Sequence, residues 1–324
     1  MTTEPTSPLG DRAAVDRAKA AYPVLAERID DLEDIVTPEF DRADQTAIDT
    51  QAKLKRYRLL EIAGGVVVAV FALIRLGFGD DARWAGAAAA IVAAGTGAIA
   101  IAGRRHGLER WLDNRRIAEE LRSLYFRWLV SQTSGDETAD DAVDDHERRR
   151  RLRSEVTRLI AVEPIRLGAE LTGPVDNGTP ARQTIDDQAW QLYVDARFHD
   201  QTEWLRAKSD SVRVRTHTLQ WAQVVMLGAA AVYGFISGYV SGTEGRILAV
   251  PVAATAVIVG FLATVDSVTA SDQLAQHYLR TVRRLDVIDR GRADGGTFGD
   301  VEEIESVLLA EHRTWHRIAE GNQQ

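Results

Sequence analysis

Four long apolar stretches interrupt an otherwise polar and amphipathic chain, at residues 59–78, 84–103, 219–240 and 247–265. At a rise of about 1.5 Å per residue, about 20 helical residues cross a hydrocarbon layer of roughly 30 Å. Each stretch is long enough to span. They pair into two hairpins through the short connectors 79–83 and 241–246. Outside the spans, apolar residues recur at three- and four-residue steps. Val24, Leu25, Ile29, Leu32, Ile35 and Val36 predict an amphipathic helix in a region patterned from about Asp11, with Pro38 as its break and a second helix leading into the first span. Trp111, Leu112, Ile117, Leu121, Leu124, Tyr125, Trp128 and Leu129 predict a helix continuous with the second span. No Gly or Pro falls between residues 181 and 227, so the helix carrying Trp190, Val194, Phe198, Trp204 and Leu205 is expected to run straight into the third. The same holds over 261–290, which carries Tyr278, Val282 and Leu285. A Gly-rich turn at 291–299 then precedes a last helix with Ile304, Leu308, Trp315 and Ile318. Nothing reads as a strand. The prediction is an all-α integral membrane protein with two transmembrane hairpins, four spans and long cytoplasmic helical extensions.

Charge orients this arrangement, because short flanks rich in Lys and Arg stay on the cytoplasmic side. Lys53, Lys55, Arg56 and Arg58 precede the first span, and Arg104, Arg105 and Arg110 follow the second. Arg206, Lys208, Arg213 and Arg215 precede the third, while Arg280, Arg283 and Arg284 follow the fourth. Both termini and the central region are expected in the cytoplasm, in a multi-pass protein of the plasma membrane. The competing reading is a set of buried core helices in a soluble protein. It has most force for the first span, where Glu61 and Arg75 bracket the apolar run. Both lie near the ends, where long side chains reach the interface at modest cost.

The net charge of -9 is an average, since six acids crowd into 136–145 and bases line the membrane edge. That acidic run, with Gly135, reads as a linker, and the Gly, Pro and Asn cluster at 173–180 marks a second loop. Three segments follow: 1–145, a first two-span unit with N-terminal cytoplasmic helices; 146–180, a cytoplasmic helix and linker; and 181–324, a second two-span unit with C-terminal helices. Both halves repeat one plan in parallel, which makes inverted-repeat transporters a poor model. The chain has no cysteine, excluding disulfides, a thiol nucleophile and thiolate metal sites. Residues 1–12 lack the basic start and apolar core of a cleavable signal, so insertion is expected to rely on the spans.

Within the spans, Gly86, Ala90, Ala94 and Ala98 share one face at four-residue spacing, and Gly234, Gly238 and Gly242 repeat the pattern. Small residues let helix backbones approach closely, within one bundle or between subunits. Thr96, Gln220, Gln223, Ser237 and Thr255 are polar at membrane depth and are candidates for lining a conduit. Ser and Thr hydroxyls also bond their own helix backbone. Chemistry beyond this is sparse. His312 and His316 lack the intervening Glu of a metalloprotease helix and a third ligand. Gly295, Gly296 and Gly299 lack the Lys-Ser/Thr pair of a phosphate loop. The run from Arg148 to Arg151 could touch lipid or nucleic-acid phosphates, but the acids nearby favour internal pairing. No catalytic residue, metal or cofactor is expected, and no nucleic acid as partner.

Two stretches carry a family resemblance. The helix after the first hairpin, from Trp111 through Arg115, Ala118, Glu119 and Arg122 to Trp128, resembles the post-membrane helix of the SLATT family of two-transmembrane effector domains. Tyr193, Arg197, Gln201 and Trp204, ahead of the second hairpin, are similar to the opening of another SLATT subtype, with Glu311 and Trp315 as its closing helix. The resemblance covers almost the whole chain as a tandem of two units. It implies an oligomeric pore-forming or membrane-perturbing effector of a bacterial conflict system, seated in the lipid bilayer and triggered by a nucleotide-signal sensor partner or a diffusible ligand. The rival function is a membrane-anchored scaffold that recruits a cytoplasmic partner.

Overall fold

The computed structural model describes residues 6–78, 83–131, 141–161, 187–239, 271–291 and 296–321, together with Thr255 and Val259. Every element among them is helical. Helix α1 (Arg12–Ala21) starts where the Asp11 carboxylate accepts the Ala14 N–H at 2.7 Å. Gly10, at φ +116°, closes the tight turn before it, a conformation that residues with a Cβ rarely adopt. Pro23 opens a 3-10 turn (Pro23–Leu25) that leads into α2 (Ala26–Ile35).

Helix α3 (Thr37–Phe78) carries Pro38 in its first turn, where the missing N–H has no helical partner to lose. The expected break therefore falls at the α2–α3 junction. Helix α4 (Arg83–Ser131) has 49 residues, about 74 Å of helix, and leaves the apolar stretch without interruption. Helix α5 (Asp141–Ala161) follows. Helix α6 (Asp187–Tyr193) passes through a π-helical turn (Val194–His199) into α7 (Asp200–Tyr239). The chain ends with α8 (Ser271–Gly291) and α9 (Phe298–Gly321). At the start of α9 the Asp300 carboxylate accepts from the Thr297 N–H at 2.7 Å, and the Asp300 N–H donates back to the Thr297 hydroxyl at 3.3 Å.

Spatially the chain forms two compact units, one of Met1–Asp49, Arg110–Ala207 and Tyr278–Gln324, the other of Thr50–Glu109 and Lys208–His277. Each draws helices from both halves of the sequence, so the spatial division differs from the linear one. The first unit has a dense core. Leu25 of the 3-10 turn, Ile29 and Leu32 of α2, Val36 at the α2–α3 junction and Phe40 of α3 are fully buried, as are Leu121, Tyr125, Phe126 and Leu129 of α4. Tyr193, Leu285, Val301 and Ile304 complete it. Leu25, Ile29, Leu32, Val36, Leu121, Tyr125, Leu129, Leu285 and Ile304 lie on the stripes that the periodicity marks, whereas Val24, read on the same stripe, is exposed.

The second unit has the opposite character. Two helices among the described residues, Thr37–Arg75 and Asp187–Ile236, are long and apolar enough to cross a bilayer, and none of either apolar window is buried. A soluble core would bury both. Trp84–Ala98 is a shorter apolar helix within the expected second span. The expected fourth span, apart from Thr255 and Val259, lies outside the described residues. Within this unit α3 and α4 meet closely. The Thr96 side chain occupies the space a Cβ on Gly64 would need, and Leu54 lies over Gly107. Phe71 and Trp84 meet edge-on at 6.0 Å.

Candidate functional site

The most concentrated chemistry in the described structure is a buried charge cluster in the first compact unit. Arg197 stands in the π-helical turn and is 1% exposed. Its Nε and Nη2 donate to the two oxygens of Glu305 on α9 at 2.9 and 3.0 Å. Its Nη1 reaches Glu119 on α4 at 3.4 Å. The Tyr193 hydroxyl donates to Glu305 at 3.1 Å. The Arg197 guanidinium also lies 5.8 Å from the centre of the Phe126 ring, within cation–π range.

Glu119 is shared. Arg115 holds it at 2.8 Å and Arg122 at 3.7 Å, from four residues before and three after on the same helix. Arg115 reaches on to Asp44 of α3 at 3.2 Å, and Arg122 lies over the Phe40 ring at 5.0 Å. Three guanidinium groups thus face Asp44, Glu119 and Glu305. Burial by itself would lower the Arg197 pKa, but Glu305 and then Glu119 more than offset this and raise it. For Arg122 burial wins, and its pKa is lowered despite Glu119. A buried charge is tolerated only when paired and hydrogen-bonded, and Arg197 meets both conditions.

Aromatic packing surrounds the cluster. Phe126 and Tyr193 meet edge-on at 5.9 Å, and Trp190 stacks on Tyr193 at 5.8 Å. Gly296 lies directly beneath the Trp190 ring, where any Cβ would collide with it. On the far side of α4, the Tyr125 hydroxyl donates to Glu33 at 3.0 Å, and burial followed by that carboxylate raises its pKa well above the usual value.

The structure therefore brings together four residues of the sequence motifs, Arg115, Glu119, Arg122 and Arg197, and seats Tyr193 among them. Ala118 and Glu311 are buried nearby in sequence, while Trp111, Trp128 and Gln201 are half-buried. Trp204 is 41% exposed and meets Tyr278 edge-on at 6.0 Å. Glu305 is the member that sequence reasoning missed. It falls on the apolar stripe of Val301, Ile304 and Leu308, and an acid on a buried stripe signals a buried partner.

The span residues are placed differently. The Thr96 hydroxyl donates to its own helix at Val92 O, at 2.7 Å. Gln220 is exposed, and Gln223 and Thr255 are half-buried. Arg75 lies across Gly86, whereas Ala90, Ala94 and Ala98 are exposed. A Cβ on Gly234 would meet nothing within 4 Å among the described residues. The side chains of Ser237, Gly238, His312, Trp315 and His316 and the whole of Gly242 lie outside the described residues. Arg148 and Arg149 pair with Asp31 of α2 at 3.2 and 3.4 Å, and Arg150 and Arg151 pair with Glu147. The basic run is balanced internally.

Comparison with known proteins gives two family matches. Residues 39–137 match a protein family of unknown function, DUF4231, and residues 193–315 match SMODS and SLOG-associating 2TM effector domain 1. No curated protein and no solved structure matches the chain. The first match takes in α3 and α4 through their apolar stretches, and the second runs from Tyr193 to Trp315. DUF4231 is itself SLATT-related, and the two matches together are consistent with a tandem of SLATT units, the second of them at 193–315.

Proposed function

We propose that this protein is a membrane effector that assembles into an oligomer and opens a path for ions through the plasma membrane, within a bacterial nucleotide-signalled conflict system. The observation that carries this reading is the pair of long helices whose apolar windows are wholly unburied. Lipid is the medium that accepts such surface. The matched SLATT domain, described as a two-transmembrane effector, supplies the role. Exposed small residues at Ala90, Ala94 and Ala98 leave room for a neighbouring copy. Four spans with both termini in the cytoplasm complete the arrangement, and a nucleotide-signal sensor partner supplies the trigger.

Reconstitution tests the reading. Purified protein in potassium-loaded liposomes is expected to release potassium once triggered, and its expression is expected to collapse the membrane potential of the host cell. Liposomes that stay sealed under every nucleotide and partner supplied, with cells that keep their potential, would leave the scaffold reading in its place. Tags at the two ends reporting opposite faces would overturn the topology.

A further inference from the structure

The two SLATT repeats meet inside the first compact unit, where α4 of the first repeat faces the π-helical turn and α9 of the second. Contacts within each repeat run from short to long, and the Arg122 contact to Glu119 is 3.7 Å. Arg115 holds Glu119 at 2.8 Å, Arg197 holds Glu305 at 2.9 and 3.0 Å, and Arg206 holds Asp286 at 2.7 Å. Three polar contacts that cross between the repeats are all long: Arg197 to Glu119 at 3.4 Å, Arg127 to Glu302 at 3.4 Å, and the Tyr22 hydroxyl to Asp195 at 3.3 Å. Charge-assisted hydrogen bonds of full strength are shorter, about 2.7–2.9 Å.

The seam is also incompletely filled. Arg127, Glu302, Glu305, Ser306 and Leu309 line a cavity of about 270 Å³ between α4 and α9. On α4, Ser123 Oγ and Arg127 Nε are buried with no hydrogen-bond partner among the described residues. They stand four and eight residues after Glu119, on the same face of the helix. Native interiors leave few such atoms, so finding two on one helix face beside a cavity marks this seam as poorly satisfied in its closed form.

We propose that the Glu119–Arg197 contact is a separable joint between the two repeats, closed at rest and parted when the protein is triggered. The cluster is asymmetric in the way such a joint requires. When Glu119 lets go, Arg115 and Arg122 on its own helix still neutralise it. Arg197 keeps two bonds to Glu305. No charge is left buried alone on either side, so parting avoids the penalty that normally locks a buried ion pair shut. Helix α4 and helix α7 continue from this joint into their apolar stretches, so its parting changes how the two hairpins are held.

Glu119→Asp is the discriminating variant. It keeps the charge for Arg115 and Arg122 but withdraws the carboxylate from Arg197 by one methylene. In detergent-solubilised full-length protein, E119D is expected to melt close to the unsubstituted chain. Amide exchange over 110–131 and 187–205 is expected to quicken by roughly tenfold or more, the size of one lost charged hydrogen bond, while 26–35 stays unchanged. A collapse in melting temperature as deep as that of Arg197→Met would show that the contact is not separable. Exchange that is unchanged, or raised uniformly, overturns the proposal equally.

The link to the membrane rests on the pore reading and has its own readout. Untriggered E119D in potassium-loaded liposomes is expected to leak several-fold faster than the unsubstituted protein. If triggered unsubstituted protein conducts and E119D matches it in every state, the joint does not control the hairpins and the proposal fails. If neither protein conducts under any trigger but local exchange quickens as expected, the joint stands and the pore reading is the one that fails.

Discussion

Arg197 shows what one buried cation demands of its neighbours. It satisfies Glu305 through two parallel bonds and Glu119 through a third contact, so its removal takes the guanidinium from buried Glu305, while Glu119 keeps Arg115 and Arg122. Arg197→Met is expected to cost about 3–5 kcal/mol, read as a fall in melting temperature in detergent. Arg197→Lys is expected to recover little of this, since an ammonium cannot copy the planar fork. Tyr125 offers a pH test. Its raised pKa means that the folded chain keeps the phenolic proton after the unfolded chain has released it. Stability is therefore full below the unfolded value of about 10 and declines as pH rises beyond it. Tyr125→Phe is expected to flatten that alkaline decline and to cost about 1 kcal/mol at neutral pH through the lost bond to Glu33, both measurable as melting against pH. Tyr193, Arg197 and Glu119 were legible as motif residues on helix faces. Their meeting was not, because periodicity ranks residues along one helix and carries no record of which helices face each other.

At the scale of elements, the long helices were legible for a simple reason: nothing in α4 or between residues 187 and 227 breaks a helix strongly enough to end it. The boundaries near Asp11 and Pro38 were legible from the onset of the apolar pattern and from a proline that breaks a helix. The π-helical turn at 194–199 was not, since an i to i+5 bond leaves no mark in side-chain pattern. Helix α5 sets apolar against ionic docking. Its Arg148, Arg149 and Arg153 reach Asp31 and Asp34 of α2, while Leu152 and Val156 are buried. Partly exposed ion pairs contribute about 0–1 kcal/mol each, whereas truncating a buried leucine costs about 2–5 kcal/mol. Raising ionic strength from about 0.1 to 1 M, which shortens the screening length from about 10 to 3 Å, is thus expected to quicken amide exchange in α5 only slightly. Leu152→Ala is expected to quicken it strongly. A larger effect of salt than of the truncation would reverse the assignment.

For the whole molecule, a densely packed charged unit and an apolar unit with exposed helices are built from the same two repeats. Gly234 separates contacts made within one chain from contacts made between copies. A Cβ there meets nothing within 4 Å among the described residues, so Gly234→Leu is expected to leave insertion and expression intact. If subunits pack across that face, the same change is expected to reduce crosslinked oligomer and potassium release together. Unaltered oligomer and flux would remove Gly234 from any subunit contact. The six residues of Val194–His199 bear on this in a further way. A π turn holds more residues per revolution than an α turn, and in an α-helix each residue advances the chain by about 100°. Excising one position there would take up that surplus and leave the downstream side chains of α7 near their present bearing relative to Tyr193, whereas the same deletion inside α7 would swivel them by about 100° and aim the third span at different neighbours.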